Sequence, residues 1–323
     1  MAGWGSAVPE KVLTNADLEK IVETSDEWIT SRTGIRQRHV VSEGESTATL
    51  AVRASRAALE RAGISPWQVD LVICCTATPD YLFPATACLV QHEIGAEKAG
   101  AFDLEAACSG FVYGISVGSQ FIQAGSYKTV LVVAAEVLSR FLDWEDRTTC
   151  VLFGDGAGAV VLTASDTKSG LLSFVLGSHG VGGDLIILPA GGSKMPASPE
   201  TLKDHSHFIK MNGQEVYRFA VRIMGDSAVE ALGKAGLKYE DISLFIPHQA
   251  NLRIINSIAD RLHLDPQKVF IDIDKYGNTS AASIPIALCE AVEQGRVAPG
   301  DNLLFVAFGA GLTSAAAVVR WGV

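Results

Sequence analysis

The sequence predicts an α/β protein built from two related halves, each a mostly parallel sheet covered by helices. Three observations carry this. The segment "ALERAGISPWQVDLVI" (58–73) aligns without gaps onto "ALGKAGLKYEDISLFI" (231–246). Farther along, "ACSGFVYGISVGSQFIQAG" (107–125) is echoed in the same order by "GNTSAASIPIALCEAVEQG" (277–295). The composition, 48% hydrophobic and 19% charged with 31 glycines in 323 residues, suits a close-packed α/β chain and argues against disorder. Two echoes in one order indicate a duplication rather than a many-unit solenoid. The seam is placed near residue 170, giving halves 1–170 and 171–323.

Each copy of the first echo reads as the end of an amphipathic helix, a glycine stop, a polar turn and an apolar strand. Each copy of the second is a small-residue turn that opens an apolar helix ending in glycine. Such alternation of strands and helices predicts mostly parallel sheets with helices on their faces. The opening "MAGWGSAVPEKVLTN" (1–15) reads as neither a signal nor a transit peptide. Gly110, Gly114 and Gly118 form one smooth stripe on the helix after Cys108. Ser116, Ser119 and Gln120 break its apolar run, so it reads as a buried central helix packed on its counterpart at 279–294, not a membrane dimerisation face. "GDGAG" (154–158) runs into the strand-like "AVVLTAS". It therefore reads as a tight hairpin turn braced by Asp155, because a dinucleotide fingerprint must open a helix.

A formal charge of −10 makes nucleic acid an unsuitable partner, since phosphate binding needs a basic field. No apolar run reaches the roughly 18 residues that would span a bilayer, so no membrane is invoked and the cytoplasm is the default location. The six cysteines contain no C-x-x-C pair, and neither a metal nor a cofactor is implied.

Chemistry is expected at the carboxyl ends of the strands, where ligands collect in parallel α/β sheets. Cys108 and Asn278 fall at aligned positions of the second echo, each at a strand-to-helix turn, and His248 follows the strand 244–246. A cysteine at a helix start faces oriented N–H groups and the positive end of the helix dipole, which favour the thiolate nucleophile. Cys74, Cys75, Cys88, Cys150 and Cys289 read as packing residues.

"EAACSGF" (105–111), "PHQANLRI" (247–254) and "YGNTSAAS" (276–283) together resemble the Cys-His-Asn site of the β-ketoacyl-acyl carrier protein synthase III family, thiolase-like condensing enzymes. The resemblance extends through "TSDEWITSRTGI" (24–35), "LFPATA" (82–87), "FGDGAGAVVL" (153–162) and "FGAGLTS" (308–314). It implies a five-layered α/β/α/β/α thiolase-like fold, a homodimer, and an acyltransferase acting in fatty-acid biosynthesis. Cys108 would accept a short acyl group, acetyl for example, from acyl-coenzyme A, which serves as substrate rather than cofactor. Malonyl-acyl carrier protein would then lose CO₂ and attack the thioester. His248 and Asn278 suit the donation of hydrogen bonds to the enolate. The backbone N–H groups of Cys108 and Ala310 would form the oxyanion hole for acyl transfer.

The resemblance also implies that Trp28 stacks on the adenine of coenzyme A, with Arg147 on its other face and Arg32 near the phosphates. Gly213 and Asn251 match positions along the pantetheine tunnel. Phe83 matches a residue that crosses the dimer to close the acyl pocket. Docking an acidic carrier protein on an acidic chain requires a local basic patch. Arg253 is the first candidate, with Arg32, Arg36, Arg38, Arg218 and Arg261 behind it. Two departures stand out, Ala310 where the family often has glycine and Ser314 where relatives often carry tryptophan, the second expected to reshape the pocket. "FGAGLTSAA" has no second catalytic cysteine, as a thiolase would need, and Asn278 replaces one of the two histidines of elongating synthases. A condensing enzyme of specialised metabolism would use the same three residues, whereas a non-catalytic carrier-binding subunit would be free to lose them.

Overall fold

The computed structural model describes residues 1–165, 167 and 169–322. The elements that position the site begin with Gly3–Ala7 (β1), Asp26–Thr33 (α1), Thr47–Ala62 (α2), Leu71–Cys75 (β2) and Thr86–Ile94 (α3). Gly100–Leu104 (β3), Gly110–Gln123 (α4), Thr129–Glu136 (β4), Gly156–Thr163 (β5) and Gly170–Ser178 (β6) follow. The chain continues through Gly213–Ala235 (α5), Leu244–Pro247 (β7), Leu252–Arg261 (α6), Ser283–Glu293 (α7), Asn302–Gly309 (β8) and Thr313–Arg320 (β9).

The first echo appears as two copies of one device. Helix α2 stops at Gly63 (φ 63°) and α5 at Gly236 (φ 69°), each in the left-handed conformation that glycine adopts without steric penalty. A short 3₁₀ turn follows in each case, Pro66–Gln68 or Tyr239–Asp241, and leads into β2 or β7.

One sheet has the order β1-β5-β4-β2-β3 and takes its strands from residues 3–163. The other, β7-β8-β9-β6, takes them from 170–320. Both are mixed, not mostly parallel as expected: β4/β2, β2/β3 and β7/β8 are parallel, and the remaining pairings are antiparallel. The antiparallel members arise where each half ends in two consecutive strands without an intervening long helix, β4 then β5 and β8 then β9. Where β3 pairs with β2 in the first half, the second half has, among the described residues, a bridge between Val269 and Phe245.

Period-two alternation sorts the strands between two cores. Val72 and Cys74 face the layer of α2 and α3, with Leu50, Ala54 and Val90. Ile73 and Cys75 face inward, where Phe111 and Ile115 of α4 and Leu288 of α7 meet Phe305 of β8. On the far face of the second sheet, Phe245 and Leu304 pack with Met224 of α5 and Ile255 of α6. The order is helices, sheet, α4 with α7, sheet, helices: five layers.

The glycine stripe of α4 faces the sheet rather than its counterpart helix. A Cβ on Gly114 would lie 2.4 Å from Cys75 Sγ, and one on Gly118 would lie 3.1 Å from Val130 Cγ1. Only Gly110 also approaches the other helix start, at 3.2 Å from Ala281 Cβ. The "GDGAG" segment enters strand β5 as read, but no tight hairpin precedes it. A long excursion connects β4 to β5, and Asp155 braces it by accepting from the N–H groups of Val41 (2.8 Å) and Ser139 (2.9 Å).

Candidate active site

Ala107 (φ 46°) and Ser280 (φ 49°) each open a 3₁₀ turn, Ala107–Ser109 and Ser280–Ala282, that runs directly into α4 or α7. The step from 107 to 280 is the same 173 residues that carries Ala58 to Ala231. By turn geometry the counterpart of Cys108 is therefore Ala281, and Asn278 lies three residues ahead of it. The gapless alignment of the second echo paired Cys108 with Asn278 because α7 has 11 residues against 14 in α4.

The three residues nevertheless meet. Cys108, His248 and Asn278 line one largely apolar cavity of about 340 Å³, together with Trp28, Arg32, Gly213, Asn251 and Ala310. Its rim includes exposed Arg32 and Gly213, whereas His248 at its inner end is fully buried.

Cys108 is deeply seated yet partly open to the cavity. Burial pushes its thiol up to about 12, against the direction expected from a helix start. The helix proper begins only at Gly110, two residues on, and the surrounding protein outweighs it. The Ser280 hydroxyl opposes this by favouring the thiolate. No backbone carbonyl among the described residues takes the N–H of Cys108 or of Ala310. Gly309 makes room there, because a Cβ at that position would lie 2.6 Å from Cys108 N.

His248 leaves the end of β7 with its Nδ1 2.7 Å from Ser283 Oγ and its ring edge against Phe308. Ser283 Oγ also accepts the Gln249 N–H (3.3 Å), so its own hydrogen is free to point at Nδ1. That assigns the proton of the neutral ring to Nε2. Nε2 is buried without a partner among the described residues, and burial holds the imidazole down at about 3, so the ring is neutral at ordinary pH.

Asn278 is fixed by the backbone of the first half. Its N–H donates to Leu152 O (2.9 Å) and its carbonyl accepts from Gly154 N–H (3.0 Å). Its Oδ1 accepts the Ser280 N–H at 2.8 Å, which leaves Nδ2 as the donor available to the cavity. A donor N–H on His248 and a donor NH₂ on Asn278 thus share the cavity with the thiol.

The residues assigned by resemblance fall unevenly. Arg32 and Arg147 both place their guanidinium carbons over the Trp28 ring, 5.0 and 5.4 Å from its centroid. Arg147 Nη1 also donates to Glu23 O (3.1 Å). Gly213 starts α5 at the cavity rim, and Asn251 caps α6 while its Nδ2 donates to Arg32 O (3.0 Å). Arg253 is exposed in the first turn of α6 and donates to Ser31 O (2.8 Å), beside the rim. Phe83 is 86% exposed and does not line the cavity. Arg38 is no surface charge: it is fully buried and donates to Leu13 O, Asn15 Oδ1 and Val151 O. Arg218 and Arg261 are surface residues paired with Glu215 and Asp226. Ser314 is buried on β9 towards Gly177 and does not line the cavity, so it does not reshape the pocket.

Two halves packed in five layers, with a cysteine, a histidine and an asparagine meeting at their junction, define a thiolase-like condensing protein. Residues 102–180 match the family 3-Oxoacyl-[acyl-carrier-protein (ACP)] synthase III, and residues 232–321 match its C-terminal region. A Beta-ketoacyl-[acyl-carrier-protein] synthase III of Roseiflexus sp. (strain RS-1) is 58% identical over 99% of this chain and 98% of its own. The crystal structure of 3-oxoacyl-[acyl-carrier-protein] synthase III from Aquifex aeolicus VF5 superposes with a TM-score of 0.92 at 49% identity, covering 99% of both chains. A priming beta-ketosynthase from the R1128 polyketide biosynthetic pathway also superposes with a TM-score of 0.92, at 37% identity, over 99% of this chain and 95% of its own. The chain belongs to the 3-oxoacyl-[acyl-carrier-protein] synthase III family.

Sequence reasoning missed the polar residues beneath the site. Ser280 and Ser283 both lie inside "YGNTSAAS", three apart at a helix start, a spacing that places them on one face. Glu136 ends the apolar run "TVLVVAAE" (129–136), and an acid closing a fully buried strand was the available signal.

Proposed function

We propose that the chain is an acyltransferase that begins fatty-acid synthesis by condensing a short acyl group, carried on Cys108, with malonyl-acyl carrier protein. The observation that carries the reading is the pair of donors, His248 Nε2–H and Asn278 Nδ2–H, lining the same apolar cavity as the Cys108 thiol. In the first half-reaction the sulfur attacks the acyl-coenzyme A carbonyl, and the N–H groups of Cys108 and Ala310 steady the tetrahedral oxyanion. Coenzyme A leaves. In the second, decarboxylation places negative charge on the malonyl thioester oxygen. A neutral imidazole N–H and a carboxamide stabilise that charge without themselves changing protonation state. The carbanion then attacks the Cys108 thioester.

Trp28, Arg32 and Arg147 hold the nucleotide end of coenzyme A, Gly213 and Asn251 flank its pantetheine arm, and Arg253 meets the carrier protein. A second copy of the chain is the expected partner of the exposed apolar run Tyr81, Leu82 and Phe83, at 60%, 79% and 86% exposure. The test is incubation of the purified protein with a panel of acyl-coenzyme A thioesters, followed by peptide mass spectrometry. One acyl group on Cys108, abolished in Cys108→Ala, supports the reading, and the preferred acyl chain separates a fatty-acid primer from a polyketide one. Acylation elsewhere, or none, refutes it.

A further inference from the structure

Thr313 opens β9 just after the Ala310–Leu312 turn and does not itself line the cavity. Its Oγ1 donates to Ala106 O at 2.8 Å and lies 3.2 Å from Ser109 Oγ. A hydroxyl has one hydrogen and a carbonyl can only accept, so that hydrogen goes to Ala106. The bond crosses between the halves. Ala106 belongs to the first and caps the Ala107–Ser109 turn that carries Cys108, whereas Thr313 belongs to the second. Ala106 O also takes the Ser109 N–H at 3.1 Å, the bond that closes this turn. The Thr313 hydroxyl therefore holds the nucleophile turn by its closing carbonyl.

The same residue holds Ala310. Gly309 and Thr313 form the last pair of the β8/β9 ladder, with the Ala310–Leu312 turn strung between them, and the Thr313 N–H closes that turn by donating to Ala310 O. The two turns lie in close contact at Gly309, where an added Cβ would sit 2.6 Å from Cys108 N and 3.0 Å from both Ala107 Cβ and Thr313 Oγ1. Ala107 keeps φ at 46°, a left-handed conformation that costs a residue with a Cβ, so the nucleophile turn depends on its contacts for its shape. Glu105 supplies one from the first half, its Oε1 accepting the Ala107 N–H at 2.9 Å. Thr313 supplies one from the second.

We propose that Thr313 is a positioning residue for acyl transfer: its hydroxyl fixes the Cys108 N–H against the Ala310 N–H, so that two donors from opposite halves meet one oxyanion. This rests on the reading of Cys108 as the acyl carrier and of those two N–H groups as its oxyanion hole. As the sulfur bonds to the acyl carbon, the carbonyl electron pair moves onto oxygen. It returns when the bond to the coenzyme A sulfur breaks, and the thiol proton passes in net to that departing sulfur. Hydrogen bonds weaken steeply with misalignment, so the pair stabilises the oxyanion fully only while their spacing is held. The donors to the malonyl enolate are held by other bonds. Ser283 fixes the His248 ring, and Ser280, Leu152 and Gly154 fix Asn278. Loss of the Thr313 hydroxyl therefore strikes one half-reaction and spares the other.

The test uses Thr313→Val and Thr313→Ala, which remove the hydroxyl with and without keeping the β-branch, and Thr313→Ser, which retains it. Tyr113→Phe is the control, because Tyr113 also joins the halves by a hydroxyl-to-carbonyl bond, to Gly177 O (2.9 Å), away from the cavity. Each protein is followed in single-turnover loading of Cys108 over a range of acyl-coenzyme A concentrations, in CO₂ release from malonyl-acyl carrier protein, and in thermal unfolding. Thr313→Val and Thr313→Ala are expected to lose about 10-fold or more in maximal loading rate, with the half-saturating acyl-coenzyme A concentration and CO₂ release nearly unchanged. Thr313→Ser is expected to load at close to the wild-type rate. Tyr113→Phe is expected to melt lower and still load like the wild type. Wild-type loading by either folded variant without the hydroxyl overturns the proposal. So do equal losses in both half-reactions, or a loss of loading shared by Thr313→Ser or Tyr113→Phe. A wild type that never loads Cys108 refutes the underlying reading instead.

Discussion

Replacing Gly309 by alanine puts one methyl group at the tightest point of the acyl-transfer site. Its Cβ would lie 2.6 Å from Cys108 N, 3.0 Å from Ala107 Cβ and 3.0 Å from Thr313 Oγ1. Comfortable contacts begin at about 3.5 Å, so the Cys108 N–H must retreat by nearly 1 Å. The backbone of Gly309 is extended (φ −156°, ψ −177°), so alanine meets no conformational penalty and the effect is steric. Overpacking of this kind costs about 1–3 kcal/mol of stability. A misplaced oxyanion donor costs about 10²-fold or more in rate. The assay is single-turnover acylation of Cys108 beside thermal unfolding. Gly177→Ala is the control: its Cβ would press on Ser314 Oγ at 2.8 Å, away from the cavity. Both variants should melt lower, and only Gly309→Ala should lose about 10²-fold in acylation. Near wild-type acylation by Gly309→Ala, or an equal loss in both variants, would refute the assignment of the Cys108 N–H to the oxyanion hole.

Ser283→Ala removes the hydroxyl that fixes the ring proton of His248 on Nε2. Decarboxylation should fall about 10-fold, the value of a buried hydrogen bond worth about 1–3 kcal/mol, and nitrogen NMR should show the tautomers mixing. His248, held at about 3, should stay neutral, so its ring signals should not titrate between about pH 8 and about pH 5. Its stability contribution has a definite sign. The unfolded histidine binds a proton below its ordinary value of 6.5 while the folded one does not, so this contribution is present above that pH and declines as pH falls towards 3. Trp28→Ala should raise the KM for acyl-coenzyme A about 10-fold with little change in kcat, since stacking on one base is worth about 1–3 kcal/mol. An unchanged KM would remove Trp28 from the nucleotide site.

Much of the architecture was legible because it depends on local chemistry written twice. The glycine stops at 63 and 236, the turns behind them and strands β2 and β7 all follow from residues adjacent in sequence. Sheet direction was less legible, since the pairing of β4 with β5 is decided across a long connection that carries no periodic signal. The orientation of the Gly110–Gly118 stripe was likewise hidden. Small residues announce a close approach but do not name the neighbour, here Cys75, Val132 and Val130. At the site, the residue types pointed to Cys108, His248 and Asn278. The thiol's environment could not be read from a helix start alone, because burial is a property of the whole fold and pushes Cys108 up, not down. Glu136, Ser280 and Ser283 escaped for a related reason: each acts on a residue far away in sequence.

The division of labour between the thiol and the two donors is the central claim, and comparing the half-reactions in His248→Ala and Asn278→Ala tests it most directly. Each purified variant is given acyl-coenzyme A alone, to follow loading of Cys108, and malonyl-acyl carrier protein alone, to follow release of CO₂. The account expects release to fall by about 10²–10³-fold while loading falls far less. Loading lost as severely as release would place the imidazole or the carboxamide in the acyl-transfer step and contradict it.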